Sequence, residues 1–321
     1  MKLKDIYQEV IRRGIEADPR GKKEIAAILK QRQDDCKKLA EKEKDFFDED
    51  CLSNPFSDTR ILNGDPATDI KSAMVGIDVE GDEFLLVDRL KEKGAKIDLV
   101  ISHHPSGKAY ANFYEVMDLQ VDIFAQKGVG ISFAENTLRE RKAQVERRVS
   151  AANHQRPVDI ARWLGINFIC MHTPADNHAY GYIKALMQKE KPKRIGDVIA
   201  LILDIPEYHQ AATLNNPPKI FIGSKQSKVS NIHIEFTGGT EGPQDVYEKL
   251  SSAGVDTIIA MHQSEEHFKK CKEHNINVIV AAHIASDNLG MNLILDRILS
   301  KEKIKIYEFS GFKHVVRKGK E

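Results

Sequence analysis

Two adjacent histidines end an apolar run in the stretch Ile97-Asp98-Leu99-Val100-Ile101-Ser102-His103-His104-Pro105. Imidazole ligates transition metals and carries protons near neutral pH, so two rings side by side are candidate chemistry. Leu99 to Ile101 reads as a buried strand, and Pro105 holds His104 extended and stops the strand there. Adjacent side chains on an extended chain point to opposite sides, so the pair can flank one point or serve two ions. Taken alone, the pair is equally well read as a His-rich surface loop. Two further strand ends then repeat the theme. Cys170-Met171-His172-Thr173-Pro174-Ala175-Asp176 and Val280-Ala281-Ala282-His283-Ile284-Ala285-Ser286-Asp287 each carry a His after an apolar run and an Asp four residues later. Residues four apart share a helix face, so each pair can converge on one ion. Imidazole with carboxylate suits Zn²⁺, Mn²⁺, Fe²⁺ or Ni²⁺ and does not suit a calcium loop. An Asp opening a helix is most often an N-cap, which is the ordinary reading of either motif by itself. Three His-bearing strand ends together favour metal, because such groups gathered in one place repel or stay unsatisfied without a cation.

The elements that must position these residues alternate. Strands are predicted at 73–77, 98–102, 167–171, 219–222, 232–236, 257–260, 278–282 and 304–309. Helices are predicted at 82–93, 112–126, 136–151, 157–165, 175–189, 195–203, 208–214, 243–253, 264–275 and 285–299, with a short apolar run at 130–133. Such alternation means βαβ units and a largely parallel sheet, an α/β fold in which ligands bind beyond the carboxyl ends of strands. Asn215-Asn216-Pro217-Pro218 breaks the pattern and divides a first lobe at 60–215 from a second at 216–310, whose last segment can pack back on the first. Ahead of the lobes, residues 1–50 form a charged helical arm with a thin apolar stripe, expected to pack on the body or on another subunit. The turn-rich stretch 51–66 reads as the separator between arm and core, and the basic end of the chain as a frayed tail.

Composition limits the function. The 321 residues carry 48 basic and 48 acidic side chains, which gives no electrostatic reason to expect nucleic acid or an anionic membrane. One Trp and 7% aromatics argue against a base-stacking surface. The four cysteines are scattered, no CxxC occurs, and the amino terminus does not read as a signal peptide, so a reduced, cytoplasmic protein is expected.

Taken in order, "SHHP", "HTPAD", the Gly-rich "GGTEG", "GVD" and "AHIASD" before a helix resemble the NIF-three-like family, whose members are often described as GTP cyclohydrolase I type-two homologues. The resemblance spans roughly residues 70–310. It implies a two-lobed α/β protein with two divalent transition-metal ions in the cleft, commonly assembled as a ring-shaped hexamer. Carried over by motif, His103, His104, Asp176, His283 and Asp287 are the implied metal ligands. His172 is implied to lie beside the metals or to face the substrate, where it could act as general acid or base. A metal-dependent hydrolase of a small molecule (a nucleotide, cyclic amidine or phosphoester) follows as the leading expectation, with metal storage or an oligomeric scaffold as the rival. Three positions depart from the family. Asp287 replaces a Glu that bridges both ions, which leads us to expect one weakly held metal; Ala282 replaces a Gly; and the charged arm replaces the usual start.

The remaining motifs carry less. Gly238-Gly239-Thr240-Glu241-Gly242 could offer amides to a phosphate but lacks the Lys of a P-loop, so a tight turn is the plainer reading. His262 and His178 could face the cleft. His154, His209, His233, His267, His274 and His314 read as surface or core residues, and the Arg139 to Arg148 run as a solvated helix face.

Overall fold

A computed structural model describes residues 1–317. Its strands are β1 (Thr59–Asn63), β2 (Ser72–Gly76), β3 (Leu99–Ser102), β4 (Asn167–Met171), β5 (Lys219–Ile222), β6 (Ile232–Glu235), β7 (Thr257–Ala260), β8 (Asn277–Val280) and β9 (Lys305–Glu308). They form two sheets, ordered β1-β4-β3-β2-β9 and β5-β8-β7-β6. In each sheet the first strand is antiparallel to its neighbour and all others run parallel. This is the mixed α/β fold expected. The apolar runs of the parallel strands are buried on both faces, as helix-covered sheets require.

The two sheets are built to one plan. In the first, Asp98 accepts the backbone N–H of Lys71 and Ser72, and the Asn167 amide donates to the Asp98 carbonyl. In the second, Asp256 accepts the N–H of Ser230 and Asn231, and the Asn277 amide donates to the Asp256 carbonyl. Each set ties the starts of three parallel strands together, so their carboxyl ends emerge level. β9 then returns the chain to the edge of the first sheet beside β2.

Several expectations need correction. The stretch 51–66 is more than a separator, for it contains β1, paired to β4. Short turn-flanked strands such as Arg60-Ile61-Leu62 carry too few residues to show alternation. The apolar run at 130–133 opens the long helix Ile131–Val149, and the helix predicted at 112–126 divides into a 3₁₀ segment Phe113–Asp118 and the α-helix Leu119–Gln126. The end of the chain, through Arg317, is docked. Asn288 and Asn292 bond the backbone of residues 311–315, and Arg317 forms a paired contact with Glu207, which is wholly buried. Residues 318–321 of that tail lie outside the described residues.

Of the two placements expected for the amino-terminal arm, its first helix takes the body. Helix Leu3–Ala17 packs on helices Thr173–Glu190 and His283–Leu299, with Leu3, Ile6 and Val10 sealed in the first lobe's core. The following helix, Lys22–Cys36, is mostly exposed, with Ile25 as its buried anchor, and helix Glu41–Lys44 buries no residue. Among the described residues no helix is long and apolar enough to cross a membrane. Truncating Ile6 to Ala should therefore cost about 2–5 kcal/mol of folding stability in denaturant titrations. A cost below about 0.5 kcal/mol would return this helix to the status of a detachable arm.

Candidate metal centre

Three strand ends bring the histidines together. Beyond β3, the N–H of His103 donates to the carbonyls of Gly76 and Ile77, and that of His104 to Ile77, which fixes the two rings against the end of β2. Beyond β4, His172 caps helix Thr173–Glu190, whose first turn carries Asp176. Beyond β8, helix His283–Leu299 begins with His283 itself and presents Asp287 one turn later. The two helices touch where they cross. A Cβ on Gly290 would sit 2.2 Å from the Ala175 carbonyl, so only glycine permits this approach, and it lies one turn from Asp287 and one residue from Asp176.

The ligand atoms face one another at lengths too long for hydrogen bonds. His103 Nε2 lies 3.4 Å from both Asp176 Oδ1 and Asp287 Oδ1. Asp287 Oδ2 lies 3.7 Å from both His104 Nε2 and His283 Nε2, and His172 Nε2 lies 3.8 Å from Asp176 Oδ2. Ligands held about 2.0–2.2 Å from one tetrahedral ion stand about 3.3–3.6 Å apart, close to these spacings. Three overlapping sets could each hold an ion: His103, His104 and His172; His104, His283 and Asp287; His103, Asp176 and Asp287. Asp287 belongs to two of them, with one oxygen toward each. The shorter carboxylate thus reaches both groups without the extra methylene of Glu.

The polar atoms fit a cation. Both ring nitrogens of His103, Asp176 Oδ1 and both oxygens of Asp287 are buried with no hydrogen-bond partner. Leaving such groups unpaired costs several kcal/mol, which a bound divalent ion would offset. Charge points the same way. Burial drives the Asp176 carboxyl well above its ordinary range, against the opposing pull of His172. Burial also acts to raise Asp287, but the imidazoles of His103, His283 and His104 outweigh it and hold that carboxyl low. Two carboxylates this close do not both ionise readily without a cation between them. Burial pushes His103 down to about 4 and lowers His283, leaving neutral rings suited to ligation.

Two carboxylates outside the sequence motifs orient the rings. Asp78, just past β2, accepts from His104 Nδ1 at 2.6 Å, and fully buried Asp58, just before β1, sits 2.8 Å from His172 Nδ1. Asp58 also accepts from the Thr173 hydroxyl and backbone. Carboxylate–histidine pairs of this kind set the tautomer and aim Nε2 inward. Although burial opposes it, Asp176 and the Asp58 hydrogen bond raise His172 to about 9. Neither Asp58 nor Asp78 was legible in the sequence, since each is an isolated acid in a loop that only strand pairing brings to a histidine.

Among the other histidines, His262 lies against His283 with centroids 4.7 Å apart and the rings tilted by 49°, and does line the cleft. His178 does not; it is half-buried beside Arg13 and Glu16. His233, read as surface or core, is buried at the cleft wall. The Gly-rich loop proves to be an interlobe contact, in which Gln120 of the first lobe donates to the carbonyls of Gly238 and Thr240.

With this geometry in hand, comparison with solved structures is informative. The chain superposes on a NIF3 superfamily protein from Sphaerobacter thermophilus with a TM-score of 0.69 and 27% identity, over 80% of this chain and 92% of that one. The fold is NIF3-like. Lower-scoring matches are reduced HcgD from Methanocaldococcus jannaschii (TM-score 0.46, 12% identity, 77% and 87% covered) and TTHA1606 from Thermus thermophilus (0.45, 13%, 78% and 86%). No family model and no curated protein matches the sequence. Within the NIF3-like fold, the departure at Ala282 has a physical consequence. Its φ of 88° and ψ of 113° fall where only glycine sits without strain, at the residue that launches the His283 helix. Such a residue costs of order 1–3 kcal/mol. Replacing Ala282 by Gly should raise stability by about 1 kcal/mol in chemical denaturation, and a loss of stability would show that the Ala282 methyl contributes more to packing than its backbone costs.

Proposed function

We propose that the protein is a metal-dependent hydrolase of a small molecule, using two divalent transition-metal ions with Asp287 between them. One observation carries this reading: two buried carboxylates and imidazoles with unpartnered atoms converge on the wall of a cleft. His103, Asp176 and one Asp287 oxygen would hold one ion, and His104, His283 and the other oxygen the second. Zinc, manganese, iron or nickel suits this donor set. Such ions supply Lewis acidity, polarising a substrate oxygen and acidifying water.

The chain's own residues provide the rest. His172, oriented by Asp58, would donate a proton from Nε2 to a leaving group and take a replacement proton from the attacking water. Asp78 keeps His104 aimed inward. The cleft runs from the ligands to the second sheet, where Gln120, Phe124, His233, Glu235 and His262 line it. A storage site needs no such cleft, which favours turnover over storage.

Elemental analysis tests the centre. The His103→Ala, His104→Ala double variant should lose bound transition metal while staying folded, and undiminished metal content would overturn the assignment. A panel of phosphoesters, nucleotides and cyclic amides assayed on metal-reconstituted protein then tests hydrolysis, and no turnover of any member by fully loaded protein would favour storage. Asp287→Glu discriminates further. Because Asp287 is sealed and already reaches both groups, an added methylene should overpack the helix crossing and weaken metal binding in titration calorimetry at least severalfold. Tighter binding of the second ion would instead show that the shorter side chain is the handicap the family comparison suggests.

A further inference from the structure

Beside the metal-site residues, the cleft is lined by polar groups that the metal centre does not use. His233 and Glu235 alternate onto one face of β6, and both line the cleft, as do their neighbours Ile234 and Phe236. His233 is 1% exposed, yet neither of its ring nitrogens has a hydrogen-bond partner. The His233 Nε2 to Glu235 Oε1 separation is 3.6 Å, too long for a bond. Opposite them, Gln120 spends its amide N–H groups on the Gly-rich loop and leaves its Oε1 buried and unpartnered. Phe124 lies against the His233 ring, with centroids 5.7 Å apart, and supplies an apolar wall.

A count of donors and acceptors defines the ligand. Glu235 Oε2 accepts from the Tyr247 hydroxyl at 3.3 Å, which leaves Oε1 free. Gln120 Oε1 is a second free acceptor, and a neutral His233 adds one acceptor and a single donor. Glu241 is committed elsewhere, accepting from the Ser264 N–H at 2.6 Å. Acceptors therefore outnumber donors in a narrow pocket with a flat aromatic side.

We propose that this pocket is a recognition subsite for a planar amidine-type group, an N–C–N unit presenting N–H donors to Glu235 and Gln120 with its face toward Phe124. The subsite rests on the hydrolase reading in one respect: it assigns the substrate an amidine-bearing end, with its scissile bond at the metal end. One N–H of such a group donating to Glu235 Oε1 makes a charge-assisted bond, roughly twice as strong as a neutral one, and a second N–H is left for Gln120 Oε1. Burial, with Glu241 adding to it, raises the Glu235 carboxyl to about 8. A cationic N–C–N group against Oε1 would favour the ionised form of this carboxyl.

Benzamidine is the probe and benzamide its neutral counterpart, with binding read by calorimetry on the full-length protein. Wild-type protein should bind benzamidine at least tenfold more tightly than benzamide, and Glu235→Gln should remove at least tenfold of that affinity while metal content stays unchanged. Equal binding of the two probes, or full affinity in Glu235→Gln, would overturn the subsite. If circular dichroism shows Glu235→Gln unfolded, His233→Phe reads the same pocket and should weaken benzamidine at least threefold; unchanged affinity there likewise overturns it. The His103→Ala, His104→Ala variant separates the two readings. Retained benzamidine binding there supports a subsite independent of the metals, whereas its loss would place the probe on the metal centre and refute the inference. Failure of the metal reading shows instead as metal content that this double variant does not lower.

Discussion

Everything in the structure serves the burial of two carboxylates at the crossing of two helices. Asp176 and Asp287 lie at 5% and 1% exposure among imidazoles, in a place where neither can be solvated. Alone, each would be expensive; together they repel. The surrounding structure overdetermines their position. Gly290 lets the helices touch, helix Leu3–Ala17 packs beside both, and Asn288 and Asn292 tie the second helix to the chain's end. An arrangement that costs stability in the empty protein and is nonetheless held from several sides has the character of a preformed ion site.

The duplicated frame explains how one site draws on both lobes. Pairing aligns Ser102 with Gly76 and Cys170 in the first sheet, and Ala260 with Glu235 and Val280 in the second. Position for position, His103 and His104 then correspond to Met261 and His262, and Gly76 corresponds to Glu235. The first lobe therefore offers ligands where the second offers a cleft wall, and the second offers an acid where the first has bare backbone.

Much of this was legible in the chain because buried parallel strands are short apolar runs with chemistry at their ends. The runs ending at His103, His172 and His283 declared both the sheet and the gathering point. What escaped depended on pairing between distant segments. β1 is five residues in a turn-rich stretch, and Asp58 and Asp78 gain meaning only when their strands lie beside those bearing the histidines. Helix Leu3–Ala17 was recognised as amphipathic, but no local pattern says whether an apolar stripe meets the body's surface or completes its core. Gln120 and His233, polar residues within apolar segments, are ordinary by type and informative only through the partners they lack.

The matching His-x-x-x-Asp patterns are themselves instructive, since strand register shows that they are not equivalent positions. Cys170 corresponds to Val280, so His172 corresponds to Ala282 and His283 to Thr173, an offset of one residue. One residue turns a helical side chain by about 100°, and the two helices meet face to face, so identical placement would not aim both pairs inward. The backbone records the difference. At the cap of the first helix His172 has φ −91°, whereas Ala282 at the cap of the second has φ +88°. The positive φ lets the second helix start with its histidine already inside the helix, one position later than in the first. Like patterns at unlike positions are what two facing helices need if both His–Asp pairs are to converge on one centre, and the strain at Ala282 is the local cost of that convergence.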